Sequence, residues 1–145
     1  MAWFGVSILK IFMIMLTSIS FLFSFDVLHI KAHIFAKIAH EFIDKEVVNI
    51  YTDDKSLLKT KGIIPTLKFT TREESDIVFL SKEEDIDCEG TTKYIFSTSY
   101  KMYKSSKDVI GAFFWQKGRP NIIIKLSMLK KLDIELSQEF QKYVE

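Results

Sequence analysis

Cysteine is nearly absent from this chain. Cys88 is the only one in 145 residues, so no internal disulfide can staple the fold. Asp87 and Glu89 flank it and disfavour the thiolate, which argues for an ordinary loop thiol rather than a nucleophile. An intermolecular disulfide is the remaining alternative. Glycine and proline are scarce as well, at five and two residues. With 48% hydrophobic residues, so little of either describes a chain that packs a core rather than one that stays disordered. No glycine-rich phosphate loop and no G-x-S-x-G elbow occurs, which leaves nucleotide hydrolysis and serine hydrolysis without their usual signatures. Net charge is missing too. Lys10 is the only charged side chain in the first 25 residues, so the rest carries 19 basic against 19 acidic residues. A balanced chain sets up no long-range field for nucleic acid, and that partner class is not expected.

What the chain does have begins at its amino terminus. Lys10 precedes the apolar run IFMIMLTSISFLFSF. A basic residue before about 15 apolar ones is short for a membrane span and right for a secretory signal. Ser18, Ser20 or Ser24 supplies a small residue for cleavage, with Leu22 unusual before the Ser24 position. Residues 1–25 therefore read as a signal peptide, and 26–145 as one exported domain. An uncleaved anchor, lengthened across Lys10 by Trp3 to Leu9, is the alternative.

Along the exported part, VLHIKAHIFAKIAHEFIDKE (27–46) places apolar residues at 27, 30, 34, 35, 38 and 42, a helical spacing. VVNIYT (47–52) is β-branched and aromatic, so it reads as a strand, followed by a short helix or turn around KSLLK. TLKFT (66–70), DIVFLS (76–81) and KYIFSTS (93–99) read as further strands, and the near-continuous apolar run of DIVFLS suits a buried parallel strand. A polar helix or loop holds Tyr100 and Tyr103. VIGAFFWQ (109–116) and NIIIKL (121–126) flank KGRP, a hairpin in which Gly118 supplies φ > 0 and Pro120 stands at a strand start. Ser127 and Ser137 are placed to cap two closing helices. Alternating helices and buried strands closed by a hairpin predict a three-layer α/β/α sandwich with a mostly parallel sheet.

Candidate sites follow from that layout. Asp53 and Asp54 end a parallel-type strand, and Ser97, Thr98 and Ser99 end another, so all five project to the rim where open α/β sheets bind ligands. The same residue types equally cap the next turn and satisfy loop backbone. His29, His33 and His40 share one side of the first helix, where an i, i+4 pair with Glu41 or Asp44 has metal-ligand spacing. The simpler reading, a solvated stripe with Lys37, is adopted, and neither metal nor cofactor is expected. In AFFWQKGRPNIII (112–124), alternation sets Phe113 and Trp115 on one face and Phe114 and Gln116 on the other. The plainest reading is core packing with a solvated turn; aromatics beside an Arg also have the composition of protein–protein hot spots, so Phe114, Trp115, Lys117 and Arg119 are the candidate partner-binding residues. Arg119 stacked on Trp115 is a local alternative.

The wording of several segments resembles the YfiR-like family of periplasmic proteins. The points of contact are the export signal, AHIFAKIAHEF leading into VVNIYTDD, then DIVFL and KYIFSTSY, and the closing IGAFFWQKGRPNIIIKLSMLKKLDIELSQEFQKYV. Leu132, Asp133, Ile134, Leu136 and Ser137 occupy the family's closing pattern. The resemblance spans nearly all of residues 26–145 and rests on element order and hydrophobic pattern. It implies a non-enzymatic adaptor or repressor that binds the periplasmic part of a membrane signalling protein, such as a diguanylate cyclase or sensor. A homodimer is left open. The rival expectation is a small-ligand module related to periplasmic solute-binding proteins, with Asp53, Asp54 and Ser97 to Ser99 as its pocket. Two departures stand out. Family members carry paired cysteines where this chain has Cys88 alone, and FFWQKGRP is its own wording, so partner specificity does not carry over.

Overall fold

The computed structural model describes residues 26–83 and 94–145; the predicted export segment and Cys88 lie outside them. Six strands form one sheet: β1 (Val48–Thr52), β2 (Leu67–Phe69), β3 (Ile77–Leu80), β4 (Tyr94–Ser97), β5 (Gly111–Gln116) and β6 (Arg119–Ile124). Their spatial order is β2-β1-β3-β4-β5-β6. Every neighbouring pair is parallel except the β5–β6 hairpin. The predicted α/β sandwich with a mostly parallel sheet and a hairpin at its end is the observed fold.

The two faces are covered unequally. Helix α1 (residues 26–42), the single turn α2 (Lys55–Leu58) and α4 (Leu126–Leu132) contribute Phe35, Ile38, Leu57, Met128 and Leu129 to the larger core. The sheet answers with Val48, Ile50, Ile77, Phe79, Phe96 and Phe113. Phe79 meets Phe35 edge-on at 4.3 Å, and Phe96 meets Phe42 at 5.1 Å, geometries that add to their area burial. The smaller core on the opposite face gathers Val78, Leu80, Ile95 and Ala112 under α3 (Tyr100–Ser105), through Met102 and Tyr103. All four residues of β3 are buried, because parallel strands between two helical layers have no wet side.

Several local expectations are corrected. The helix ends at 42, and its buried stripe is Ala32, Phe35, Ala36, Ile38, Ala39 and Phe42, while Val27 and Ile30 stay exposed at 41% and 44%. The alanines let the middle of the helix settle onto the sheet, and its first turns reach past the strand ends. Ser127 does not cap α4, because Leu126 is already helical and Lys125 is the N-cap residue. Ser137 starts no α-helix. Its backbone N–H and hydroxyl both donate to Glu41, and the chain closes through a 3-10 turn at Gln141–Tyr143. That turn frees Val144 to bridge to Ile124 on the sheet, which a continued α-helix would not do. The hairpin loop is Lys117-Gly118 rather than KGRP, with φ of 50° and 72°. Two consecutive positive φ values match the strand twist, and Arg119 and Pro120 belong to β6.

The candidate site under the hairpin overhang

The strand lengths create the site. β4 pairs with β5 only through Phe96–Gly111 and Ser97–Ala112, so Phe113 to Gln116 run on past the carboxyl end of β4. Four residues at about 3.3 Å each carry the hairpin roughly 13 Å beyond the rim. The run Phe113-Phe114-Trp115 that stood out in the sequence is this overhang. Gly111 is what allows β5 to pass so close to its neighbours: a Cβ there would meet the Ile123 carbonyl oxygen at 2.5 Å and the Phe96 ring at 2.8 Å.

A cavity of about 210 Å³ lies between the overhang and the rim. Its apolar walls are Leu57, Phe113, Phe114 and Trp115, and its polar side chains are Lys31, Asp54, Ser56 and Thr98. Phe113 roots the wall in the larger core at 3% exposure. Phe114, on the opposite face of the strand, rests on Tyr100 at 5.5 Å. Trp115 lies on the α1 side, where Lys31 holds its ammonium 5.5 Å from the ring centroid. Lys31 runs antiparallel to the strands on α1, which is why a residue near the helix start meets a strand end.

Asp54 is held by its own turn. It is the N-cap of α2 and accepts from the Ser56 N–H at 2.8 Å. Burial, the largest single influence, works against its charged form. The Thr98 and Ser56 hydroxyls and the Ser56 and Leu57 N–H groups outweigh it, and the carboxyl stays below the usual range. The Thr98 hydroxyl oxygen is itself buried and makes no hydrogen bond of normal geometry. Lys31 donates to the Ser56 hydroxyl at 3.3 Å, and the Ser56 N–H donates to Asp54, so Ser56 stands between the two charged groups.

The predicted residues thus divide. Asp54 and Thr98, expected for a ligand, share one cavity with Phe114 and Trp115, expected for a partner. Asp53 does not join them: it accepts from the Ser81 N–H at 2.7 Å and the Ser81 hydroxyl at 3.0 Å. Those bonds stitch the loops after β1 and β3, the point where the strand order reverses and where doubly wound folds leave their crevice. Ser97 is fully buried and bonded to the Ser99 backbone, and Ser99 caps α3. Lys117 and Arg119 are exposed beside a shallow surface depression shared with Gln116 and Asn121. Arg119 does not stack on Trp115. Register pairs it with Gln116, one residue along from Trp115 and so on the other face, and Lys31 supplies the cation instead.

The histidines do not form one solvated stripe either. His40 is half-buried and its Nε2 lies 2.9 Å from the Thr66 hydroxyl. Among the described residues no three His, Cys, Asp or Glu side chains gather as a metal ion would require. Lys31, Ser56, Leu57 and Phe113 are the lining residues that sequence reading missed, and only Phe113 carried a signal, as part of the aromatic run. Among the described residues no helix is long and apolar enough to cross a membrane. Comparisons with protein-family models, curated proteins and solved structures returned no match.

Proposed function

We propose that this chain is a non-enzymatic periplasmic adaptor that binds the periplasmic part of a membrane signalling protein, a diguanylate cyclase or sensor, through the β5–β6 overhang. One observation carries the reading. Two aromatic side chains, Phe114 and Trp115, stand half-buried on a hairpin that leaves the body of the sheet, beside the exposed Lys117 and Arg119. Large rigid side chains next to an arginine, at the margin of a packed fold, have the composition of interface hot spots. The apolar run after Lys10 supports export, and the resemblance to YfiR-like proteins supplies the partner class.

Capture from detergent-solubilised membranes tests it. Tagged protein is expected to enrich one membrane signalling protein over a tag-only control. Trp115→Ala or Arg119→Ala is expected to weaken that capture by about 2 kcal/mol, roughly thirtyfold. Arg119 is exposed, so its variant leaves the fold intact. Equal capture by both variants would remove the hairpin from the interface, and no enriched protein at all would remove the adaptor reading.

A further inference from the structure

Lys31 is a half-buried residue whose ammonium has no ion-pair partner among the described residues. Its contacts are one long hydrogen bond to the Ser56 hydroxyl, 3.3 Å, and the Trp115 ring at 5.5 Å. No carboxylate lies within ion-pair distance of it among the described residues, where Lys37 and Lys45 each have one. The nearest negative group in the cavity, Asp54, turns a carboxylate oxygen to the Ser56 N–H of its own turn at 2.8 Å. An ammonium has three donors and this one uses a single long hydrogen bond, so it keeps donor capacity to spare at the mouth of the cavity.

The walls define what would meet that charge. Trp115 presents its ring beside Lys31 and Leu57, over the buried Phe113, while Phe114 turns to Tyr100 on the other face of the strand. At roughly 30 Å³ per water, 210 Å³ is about seven water volumes, room for one small molecule. The ionised Asp54 works against a second negative charge, which disfavours a phosphate dianion. We propose that the cavity under the hairpin binds a small organic monocarboxylate, its carboxylate on the Lys31 ammonium and its apolar body against the aromatic wall. The proposal goes beyond the adaptor reading and does not depend on it.

Direct titration of the full chain with benzoate, in the absence of any partner, tests this. Benzyl alcohol serves as the neutral counterpart and inorganic phosphate as the dianion. Saturable benzoate binding is expected, with both comparators at least about tenfold weaker. Lys31→Met keeps most of the apolar stem and removes the charge. It is expected to lose benzoate by at least about tenfold while leaving benzyl alcohol unchanged. Lys130→Ala, which removes an exposed cation of α4 outside the cavity, should bind benzoate as the natural chain does. Benzoate binding unaffected by Lys31→Met would overturn the assignment of the ammonium. Phosphate binding tighter than benzoate would overturn the ligand class. Absence of saturable benzoate binding, with circular dichroism and melting of the natural chain normal, would overturn the site. Because no partner protein is present, these outcomes are separate from failure of the capture experiment.

Discussion

Replacing Gly111 by alanine isolates the contact that lets the hairpin leave the sheet. The added methyl would lie 2.5 Å from the Ile123 carbonyl oxygen and 2.8 and 3.0 Å from two carbons of the Phe96 ring. Neither neighbour can step aside cheaply. The oxygen belongs to the backbone of β6, in a pair register with Ala112. Phe96 is fully buried and wedged between Phe42 at 5.1 Å and Phe79 at 5.5 Å. Overpacking of a well-filled core costs about 1–3 kcal/mol, and a clash with backbone on one side and a locked ring on the other belongs near the top of that range. At about 4 °C per kcal/mol for a domain of this size, Gly111→Ala should melt roughly 10 °C below the natural chain. Gly118→Ala is the control. Nothing stands within 4 Å of its Cβ position, and its cost is only that of a side chain at φ +72°, about 1–2 kcal/mol. Circular dichroism melts of the two variants decide the matter. If Gly111→Ala melts within a degree or so of the natural chain, or above Gly118→Ala, the close approach of β4, β5 and β6 is wrong. The overhang built on it then falls as well.

The other predictions concern the rim. Asp53→Ala removes the acceptor for both Ser81 donors and should cost about 1–3 kcal/mol in urea titration, with faster hydrogen exchange at the Ser81 amide. Normal exchange there would show that the two loops are held otherwise. Asp54→Ala should cost about 1 kcal/mol at pH 7, less to the extent that solvent screens its carboxylate, and Asp54→Asn only a few tenths. The folded carboxyl titrates below the unfolded one. Its contribution is therefore complete above the unfolded value of about 3.9 and fades as pH falls through the lower folded value. The gap between the natural chain and Asp54→Ala should accordingly narrow in urea titrations as the pH is taken progressively below about 3.9, and a gap that widens there would contradict the charged cap.

How much of this could be read in the sequence depends on whether the signal was local. VVNIYT, DIVFLS and KYIFSTS announced strands because β-branched apolar runs between charges have few other stable fates, and each became a parallel strand. Gly118 announced the hairpin, although the companion positive φ fell on Lys117, a residue with no special preference for it. The closing segment misled because EFQKYV has helical composition. Burial of Leu136 and Phe140, with the Val144 bridge, outweighed propensity. At the site, the aromatic wall was visible as an unusual run, and Asp54 and Thr98 were visible as strand ends. Lys31 was not, since nothing around it in the helix differs from any solvated lysine. It becomes a site residue only because α1 runs antiparallel to the sheet and delivers its first turns to the rim where β5 overhangs.

The outer edge of β6 constrains how a partner could be read. Gln116 and Arg119 flank the two-residue loop, so Arg119, Asn121 and Ile123 exchange hydrogen bonds with β5, while Pro120, Ile122 and Ile124 turn their main-chain groups outward. Pro120 has no N–H to offer. The Ile124 carbonyl already accepts from the Glu145 N–H at 2.9 Å, and Leu126 donates to the Glu145 carbonyl at 3.0 Å. Those last residues are anchored in turn, since Tyr103 donates to the Glu145 carboxylate at 2.8 Å, and Glu41 and Lys37 hold Ser137 and Glu139 against α1. Ile122 is left with an open donor and acceptor pair, and one residue cannot support a ladder with an added strand. Strand addition, the commonest way for an edge to recruit a peptide, is therefore disfavoured, and so is edge-to-edge pairing of two copies. Under the proposed function, recognition at this end of the sheet would rest on side chains, and the overhang carries Phe114 and Trp115 at the margin of the fold.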